Sequence, residues 1–388
     1  MTKPFSLGLT RATQLTKAGN LREATALIQS LLNGSDQTAQ PVEPGNVIEG
    51  EFTRLDSSGN AAEHPTASVH PTHQSSALRP NLRETLRKIA AGGMPAQGAV
   101  RHSPQILPPG ASFTTHTHTS AYGARSFMLY IPAAKTEAPM PLIVMLHGCT
   151  QSPEDFAAGT GMNALAETFG CIIAYPAQST GANPNKCWNW FKPGDQTRNG
   201  GEPALIAGIT TAILESHPVN PSRVYIAGLS AGGAAALIVA SAYPEIFSAV
   251  GVHSGRAIGA AGDAASAFGA MRTGASGQAQ VCAIPTLVLH GTADSTVHPE
   301  NGAAVVAQAL RGRHGLKTTI RHGKSVGGRP FKQTLYSQTD GRVMCEYWEI
   351  TGAGHAWAGG SAAGSYTDPS GPDASAEILR FFLGHQRR

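Results

Sequence analysis

The sequence predicts an α/β fold, with a mostly parallel sheet covered by helices on both faces. Strand-like and helix-like patterns alternate from Tyr122 onwards, and such alternation is typical of βαβ units. Leu142 to Leu146 is a continuous apolar run of strand length, as found in strands that are buried on both faces. Arg223 to Gly233 runs from a β-branched segment through a serine flanked by glycines into an alanine-rich helix pattern.

The individual elements follow from local patterns taken in chain order. Ser126 to Ile131 and Leu142 to Leu146 are predicted strands, and we expect them to pair around the connection 132–141. Short apolar, β-branched runs predict further strands at Cys171–Tyr175, Val224–Ala227, Ala249–His253, Pro285–His290 and Val343–Ile350. Helical spacing of apolar residues predicts helices at Asn163–Phe169, Glu202–Glu215, Ala234–Ala242, Glu300–Leu310 and Ala374–Leu383. Chemistry is expected at the carboxyl ends of the parallel strands.

The chain is predicted to have three segments. Residues 1–33 are a small helical hairpin, in which two helical patterns join at Gly19-Asn20. Residues 34–118 have the composition of a disordered, low-complexity linker and contain one short amphipathic helix at 82–90. Residues 119–388 are the α/β domain. A single hairpin cannot bury its own apolar face, so we expect it to pack on the α/β domain or to lie on an apolar surface.

Composition and charge exclude several classes of function. The 388-residue chain has a formal net charge of +4 and no basic run except the terminal Arg387-Arg388 pair, so we expect no nucleic-acid binding. No stretch has the length of a membrane span. The first residues lack a continuous apolar segment with a small-residue cleavage site behind it, which predicts a cytoplasmic protein, with an extracellular location as the alternative.

The cysteines and histidines do not form a metal pattern. The five cysteines are odd in number and lack C-x-x-C spacing, which argues against a zinc site and against a complete disulfide framework. We expect free thiols in a reducing compartment, where a bridge between Cys149 and Cys187 is not favoured although both fall in loops near the expected site. His102, His116 and His118 lie in a predicted loop, and we expect solvated side chains there rather than metal ligands.

Ser230 is the predicted nucleophile. The stretch Gly228-Leu229-Ser230-Ala231-Gly232 matches G-x-S-x-G, with a strand pattern before it and a helix pattern after it. A serine turned sharply between a strand and a helix has a strained backbone, and side chains in place of the two glycines would collide with it. A glycine-rich turn with an incidental serine is the plain alternative. The strand-to-helix context and the acid and histidine downstream favour the nucleophile.

Asp294 and His355 complete a predicted triad. A serine nucleophile needs a base and a carboxylate that orients the base, and in the α/β-hydrolase fold these follow in the order Ser, Asp, His. Asp294 follows the strand that ends at His290, and His355 lies in a glycine-flanked loop after the strand that ends at Ile350. For the rival residues we expect hydrogen bonds that hold loops, or surface and capping roles; these rivals are His147, His253, His290, His298, Asp340, Asp368 and Asp373.

The remaining site residues are predicted from their positions in loops. The oxyanion hole should combine the backbone N–H of Ala231 with that of Cys149, which follows the buried apolar strand. The aromatic cluster around Trp188 and Trp190 fits two roles equally well, to anchor its loop or to line an apolar ester cleft. The candidate substrate contacts are Trp188 and Trp190 from this cluster, together with Trp357, two residues after His355.

Taken together, the motifs from residue 119 to the C-terminus resemble those of short-chain-length polyhydroxyalkanoate (PHB) depolymerases and related esterases, in the type-1 catalytic-domain pattern. They are L-H-G-C-T-Q at Leu146, Y-P-A-Q at Tyr175, C-W-N-W-F at Cys187, G-L-S-A-G-G at Gly228, H-G-T-A-D at His290, G-H-A-W-A-G-G at Gly354 and Y-T-D-P-S-G-P-D-A-S at Tyr366. The resemblance implies an α/β-hydrolase fold and hydrolysis of 3-hydroxyacyl polyesters, with Ser230, Asp294 and His355 as the triad.

We therefore expect a serine esterase that cleaves 3-hydroxyalkanoate (polyhydroxybutyrate) polyesters or oligomers through an acyl-enzyme, without a metal or organic cofactor. One alternative is a carbohydrate esterase of the feruloyl or acetylxylan type. Another is a granule-binding protein with vestigial activity. The expected partners are a polyester or short-chain ester substrate and the surface of a polymer granule.

Overall fold

The structure is a computed structural model that describes residues 107–133, 138–274 and 282–387. The predicted hairpin at 1–33, the predicted helix at 82–90 and the linker up to residue 106 lie outside these described residues. In these residues the chain forms a ten-stranded sheet. Two clusters of buried apolar side chains flank the sheet, and helices contribute residues to both clusters. No helix in this part of the chain has the length and apolarity needed to cross a membrane.

The main sheet has a parallel centre and antiparallel edges. Its strands are β1 (Ser112–Ser120), β2 (Gly123–Ile131), β3 (Met140–Leu146), β4 (Ile172–Pro176), β5 (Val219–Leu229), β6 (Ala249–His253), β7 (Thr286–Gly291), β8 (Lys317–Lys324), β9 (Pro330–Ser337) and β10 (Val343–Ile350). They stand in the order β1-β2-β4-β3-β5-β6-β7-β10-β9-β8. From β4 to β10 in that order the strands are parallel, and the outer strands on both sides pair antiparallel. The carboxyl ends of the central strands therefore meet at one edge.

A separate pair of short parallel strands, β11 (Trp357–Ala358) and β12 (Thr367–Asp368), follows.

Helices cover both faces of the sheet, as predicted. They are α1 (Pro153–Thr160), α2 (Met162–Phe169), α3 (Gly201–Ser216), α4 (Ala231–Ala242), α5 (Ala264–Thr273), α6 (Glu300–Leu310) and α7 (Ala374–Leu383). Along β3, Leu142 and Val144 belong to the core shared with α3, α4 and α6, whereas Ile143 and Met145 belong to the core shared with α1, α2 and α7. The apolar run of β3 is thus buried on both faces, because successive side chains of a strand point to opposite sides.

Two predictions about the first strands were wrong. We expected β2 and β3 to pair, but β4 lies between them. We also expected a loop up to Thr119, but Ser112–Ser120 forms β1 and pairs antiparallel with β2. This edge strand is rich in threonine and histidine and is largely exposed, so it lacks the apolar alternation that would have revealed it. The α/β domain therefore begins before residue 119, the boundary that we predicted.

Two buried histidines hold loops at the carboxyl edge of the sheet. The N–H of Gln178 donates to His147 Nε2 at 3.1 Å, and His147 Nδ1 lies 2.7 Å from the carbonyl oxygen of Gly148. The N–H of Ala358 donates to His253 Nε2 at 3.0 Å. Because a ring nitrogen that accepts a hydrogen bond carries no proton, both imidazoles are neutral. Burial is the main cause that lowers the pKa of His147 to about 4 and that of His253 to about 3.

These two histidines predict that acid weakens the fold. An unfolded histidine takes up a proton near its ordinary pKa of about 6.5, whereas the buried rings resist protonation until their lower pKa values of about 4 and about 3. Their contribution to stability is therefore complete above about pH 6.5 and is lost as the pH falls towards those values. We expect the free energy of unfolding to fall by about 1.4 kcal/mol per pH unit for each histidine in that window.

Urea unfolding between about pH 7 and about pH 4 measures this slope. The variant His253→Gln is the matched control, because an amide oxygen can accept the same N–H but does not titrate. We expect its slope to be shallower than that of the unaltered protein. Equal slopes for the two proteins would contradict the assignment.

Candidate active site

Ser230 lies at a sharp turn between β5 and α4. Its backbone has φ 59° and ψ −118°, a conformation that residues with a side chain rarely adopt. The N–H of Ser230 donates to the carbonyl oxygen of His253 at 2.8 Å, which holds the turn against the end of β6. The turn therefore has the position and the backbone strain predicted for a nucleophile.

Glycines at 228 and 232 permit this turn because the chain passes very close to them. A Cβ atom at Gly228 would lie 2.4 Å from the carbonyl group of Gly232, and a Cβ atom at Gly232 would lie 2.1 Å from the carbonyl oxygen of Leu146. We expected larger residues to collide with the serine. The structure shows that they would instead collide with the backbones of α4 and β3.

Asp294 and His355 are brought together from the loops that follow β7 and β10. His355 Nδ1 lies 2.7 Å from Asp294 Oδ2. Asp294 Oδ1 accepts the N–H groups of Thr296 at 2.9 Å and Val297 at 2.8 Å. Burial opposes ionisation of Asp294, but the hydrogen bond and charge of His355 and the N–H of Val297 outweigh it, so that the pKa of this carboxyl is lowered. The carboxylate thus favours the proton on Nδ1 of His355 and leaves Nε2 as the base.

Ser230 and His355 line the same small cavity. It measures about 10 Å³, the room of about one water molecule. The other lining residues are Gly148, Cys149, Gln151, Leu229 and Tyr366. Among the described atoms of this site, the Ser230 hydroxyl and the His355 ring form no direct hydrogen bond with each other; in free enzymes such bonds often shorten only when substrate binds.

Cys149 and Ala231, the predicted oxyanion donors, flank Ser230. All three residues border a second, larger cavity. Ala231 is the first residue of α4, where a backbone N–H has no partner within the helix. Cys149 lies in the loop after β3, which Gln151 stabilises by accepting the N–H of Gly148 at 2.9 Å. These positions suit donors that would stabilise a tetrahedral oxyanion on an atom bonded to Ser230.

Cys149 forms a disulfide bond with Cys187, so our expectation of free thiols was wrong for this pair. Their Cα atoms are 4.2 Å apart, and the N–H of Thr150 donates to the carbonyl oxygen of Asn185 at 2.7 Å. That backbone contact brings the two loops together. Cys171, Cys282 and Cys345 are buried and free, as expected.

Of the three candidate tryptophans, the structure places one at the site. Trp190 borders the larger cavity together with Ser230. Trp188 is fully buried and donates its Nε1–H to the carbonyl oxygen of His147 at 3.1 Å. Trp357 is 1% exposed and donates to Ser375 Oγ at 3.0 Å. The prediction of substrate contact was therefore wrong for Trp188 and Trp357, because an indole N–H in the core needs an internal partner.

The rival histidines and acids have the loop-holding and capping roles that we expected. Each has a hydrogen-bond or ion-pair partner outside the predicted triad. In chain order these partners are Gln178 for His147, Ala358 for His253, Val297 for His290, Glu300 for His298, Arg342 for Asp340, Arg329 for Asp368 and Ala376 for Asp373.

The sequence analysis missed two residues that border the site. Arg256, in the loop after β6, lines the larger cavity, which measures about 370 Å³. Its position just beyond the carboxyl end of a predicted strand was the available signal. Tyr366 lines the small cavity, and its hydroxyl lies 3.2 Å from Thr150 Oγ1. It opens the last of the motifs quoted above, but the spacing in that motif indicated no role for it.

We predict that Gly232→Ala disrupts the nucleophile. The added Cβ would lie 2.1 Å from the carbonyl oxygen of Leu146, so the turn must move, and a displacement of about 1 Å at a reacting group can cost about 10²-fold in rate. We expect a lower Tm and labelling of Ser230 by a fluorophosphonate probe that is slower by about 10²-fold or more. Gly269→Ala in α5 is the control, because a Cβ there meets nothing within 4 Å. Labelling of the Gly232→Ala variant at the normal rate would contradict the close-contact explanation.

The chain is similar in sequence to known proteins. Residues 125–325 match the family model described as Esterase PHB depolymerase. The chain is 35% identical over 232 residues to poly(3-hydroxyalkanoate) depolymerase C of Paucimonas lemoignei, covering 56% of this chain and 55% of that protein. It is 36% identical over 140 residues to feruloyl esterase B of Thermothelomyces thermophilus, covering 36% and 47% of the two chains. The chain thus spans about half the length of the curated relatives it matches.

A solved structure shares the architecture. The acetyl xylan esterase from Aspergillus awamori superposes with a TM-score of 0.54 at 20% sequence identity, covering 70% of this chain and 99% of that chain. This likeness supports the α/β-hydrolase fold that the resemblance implied. Since the family model covers more than half of the 388 residues, and Ser230 and Asp294 lie inside the matched segment, the chain belongs to the PHB depolymerase esterase family.

Proposed function

We propose that the protein is a serine esterase that hydrolyses 3-hydroxyalkanoate esters, as polyester or as oligomers. The observation that supports this most directly is the strained Ser230 in one cavity with His355, whose ring is held by Asp294. Nucleophile, orienting acid and base follow in the chain order of the α/β-hydrolases, Ser230, Asp294 and His355. The printed name of the depolymerase relative motivates the choice of substrate.

The reaction would proceed in two halves. His355 Nε2 takes the proton of the Ser230 hydroxyl as Oγ attacks the ester carbonyl, and the N–H groups of Cys149 and Ala231 stabilise the oxyanion. The tetrahedral intermediate collapses, the carbon–oxygen bond to the alcohol breaks, and His355 returns the proton to the departing alkoxide. Water, activated by His355, then attacks the carbonyl of the acyl-enzyme. The acid product leaves and the Ser230 hydroxyl is regenerated. Protein groups supply every step, so we propose no cofactor.

The larger cavity suits a short-chain ester. Its wall is mostly apolar, with Trp190, Phe191, Phe268 and Met271 among the residues that line it together with Ser230. Apolar walls with a few polar groups are typical of small-molecule sites. Such a wall can accept the short alkyl branch of a 3-hydroxyalkanoate unit.

Turnover of defined substrates tests this proposal. We expect the purified protein to hydrolyse a 3-hydroxybutyrate trimer to shorter hydroxy acids, identified by chromatography. The Ser230→Ala variant should keep its Tm and lose on the order of 10⁶-fold in kcat, because the members of a triad act as a unit. Near-normal turnover by this variant would refute the nucleophile assignment.

A carbohydrate esterase is the second candidate, favoured by the identity to the feruloyl esterase. The same purified protein assayed on methyl ferulate decides between the two. Turnover of the ferulate without turnover of the trimer would replace our proposal with this one. The intact triad argues against a protein with vestigial activity. Attachment to a polymer granule through residues 1–33 and 82–90 stays a prediction, because these residues lie outside the described part of the chain.

We also propose that the protein works in an oxidising compartment, which corresponds to the extracellular alternative rather than to the cytoplasmic location that we first expected. The Cys149–Cys187 bridge supports this, because disulfide bonds persist mainly in such compartments. In denaturant without a reductant, thiol titration of protein isolated from its native source should find the three free cysteines. Five titratable thiols would instead favour the cytoplasm.

A further inference from the structure

Arg256 is a buried charge, and two of its donors lack a hydrogen-bond partner in the described part of the chain. Its side chain is 1% exposed, and its Nε and Nη2 atoms have no hydrogen-bond partner among the described residues. The guanidinium carbon lies 4.5 Å from the centre of the Trp190 ring, so a cation–π contact replaces part of the lost hydration. Burial lowers the pKa of Arg256 to about 9 although the charge of Asp294 opposes this shift, so the side chain stays charged at neutral pH.

A buried charge of this kind is costly unless something pairs with it. Removing an ion from water without a partner destabilises a protein by several kcal/mol, and guanidinium groups are almost always hydrogen-bonded when buried. Among the described residues that line the larger cavity, Arg256 is the one that carries a charge. The same cavity contains Ser230 and Ala231. The side chain of Arg256 therefore forms part of the wall of the space where an ester would lie.

We propose that Arg256 binds a carboxylate of the substrate and makes the enzyme selective for esters that carry one. The inference rests on the proposed function for its choice of substrate. The planar guanidinium presents its donors in a fork that matches the two oxygens of a carboxylate. Stacking on Trp190 would hold the plane of the fork in one orientation before the substrate arrives.

The chemistry of hydroxyalkanoate oligomers makes the proposal specific. In a linear oligomer, the free carboxylate lies on the alcohol side of every ester bond. Arg256 would thus bind the leaving half of the molecule. When the ester bond breaks, the alcohol takes its proton from His355 and keeps its carboxylate, so the product departs as a hydroxy acid anion. Cleavage near the carboxyl end of a chain would then be favoured over cleavage in its interior.

The test compares two substrates that differ in this charge. They are the 3-hydroxybutyrate trimer as the free acid and the same trimer as its methyl ester. The rate is measured at the ester bonds between hydroxybutyrate units, because the methyl ester bond can itself be cleaved. We expect the unaltered enzyme to favour the acid by about 10- to 100-fold in kcat/KM, the range of a charge-assisted hydrogen-bonded pair. Arg256→Gln should reduce this ratio to about one, mainly through KM for the acid, while the methyl ester is affected far less. Arg256→Lys keeps the charge but loses the planar pair of donors, so we expect its ratio of acid to methyl ester kcat/KM to lie between those of the unaltered enzyme and Arg256→Gln.

Arg272→Gln is the matched control, because it removes one positive charge from the exposed side of α5, and it should leave the ratio unchanged. The methyl ester rate reports whether each variant has folded. A ratio near one in the unaltered enzyme, or an equal loss on both substrates in Arg256→Gln, would overturn the proposal in favour of a structural role beside Trp190.

Failure of the proposed function can be told apart from failure of this inference. If neither trimer is hydrolysed by the unaltered enzyme, the substrate assignment falls. Calorimetry then decides the role of Arg256, with the 3-hydroxybutyrate anion and its neutral amide as the probes. Binding of the anion, but not the amide, by the unaltered protein, with loss in Arg256→Gln, supports the carboxylate site. No preference for the anion overturns it.

Discussion

The close contact between the backbones of β3, β5 and α4 is the constraint on which the site depends. Leu146 and Gly228 are neighbours across two parallel strands, and Gly232 packs against the Leu146 carbonyl oxygen at a distance that leaves no room for a side chain. This contact brings the loop after β3 next to the turn that carries Ser230. One nucleophile and one oxyanion donor are thus set by the packing of the core itself. The remaining groups are added from loops at the same edge.

The sequence predicted the parts of the site that follow from local patterns at strand ends. Ser230 directly follows β5, whereas Asp294 and His355 lie in the loops after β7 and β10, and parallel strands direct such residues to one edge. It did not predict the edge strands β1 and β8 or their neighbour β9, because these strands lack the apolar alternation of a half-buried strand. The roles predicted for Trp188 and Trp357 were wrong, because the residue type alone does not show whether an aromatic side chain in a loop motif packs in the core or lines a cleft. Nor did the odd number of cysteines reveal which two loops meet.

Buried polar groups around the site differ in how completely they are hydrogen-bonded. Glu202, at the start of α3, accepts the backbone N–H and the side-chain amide of Asn189, each at 2.7 Å, and so anchors the loop between Trp188 and Trp190. Burial raises the pKa of Glu202 although these hydrogen bonds oppose that shift. His147 and His253 are neutral and fully engaged. Arg256 differs from these residues, because its Nε and Nη2 donors have no partner among the described residues, and His290 Nδ1 also lacks one. Unsatisfied groups in native proteins call for an explanation, and for Arg256 the cavity beside Ser230 supplies one.

The Cys149–Cys187 bond closes a covalent ring of chain. The two cysteines are 38 positions apart, and the segment between them contains α1, α2 and β4. A ring of this size reduces the conformational freedom of the unfolded chain and can stabilise the fold by about 4 kcal/mol in the chain-entropy model. It also means that a single proteolytic cut inside the ring leaves both fragments joined. The part of the sheet next to the oxyanion loop can therefore be nicked without releasing any piece of the molecule.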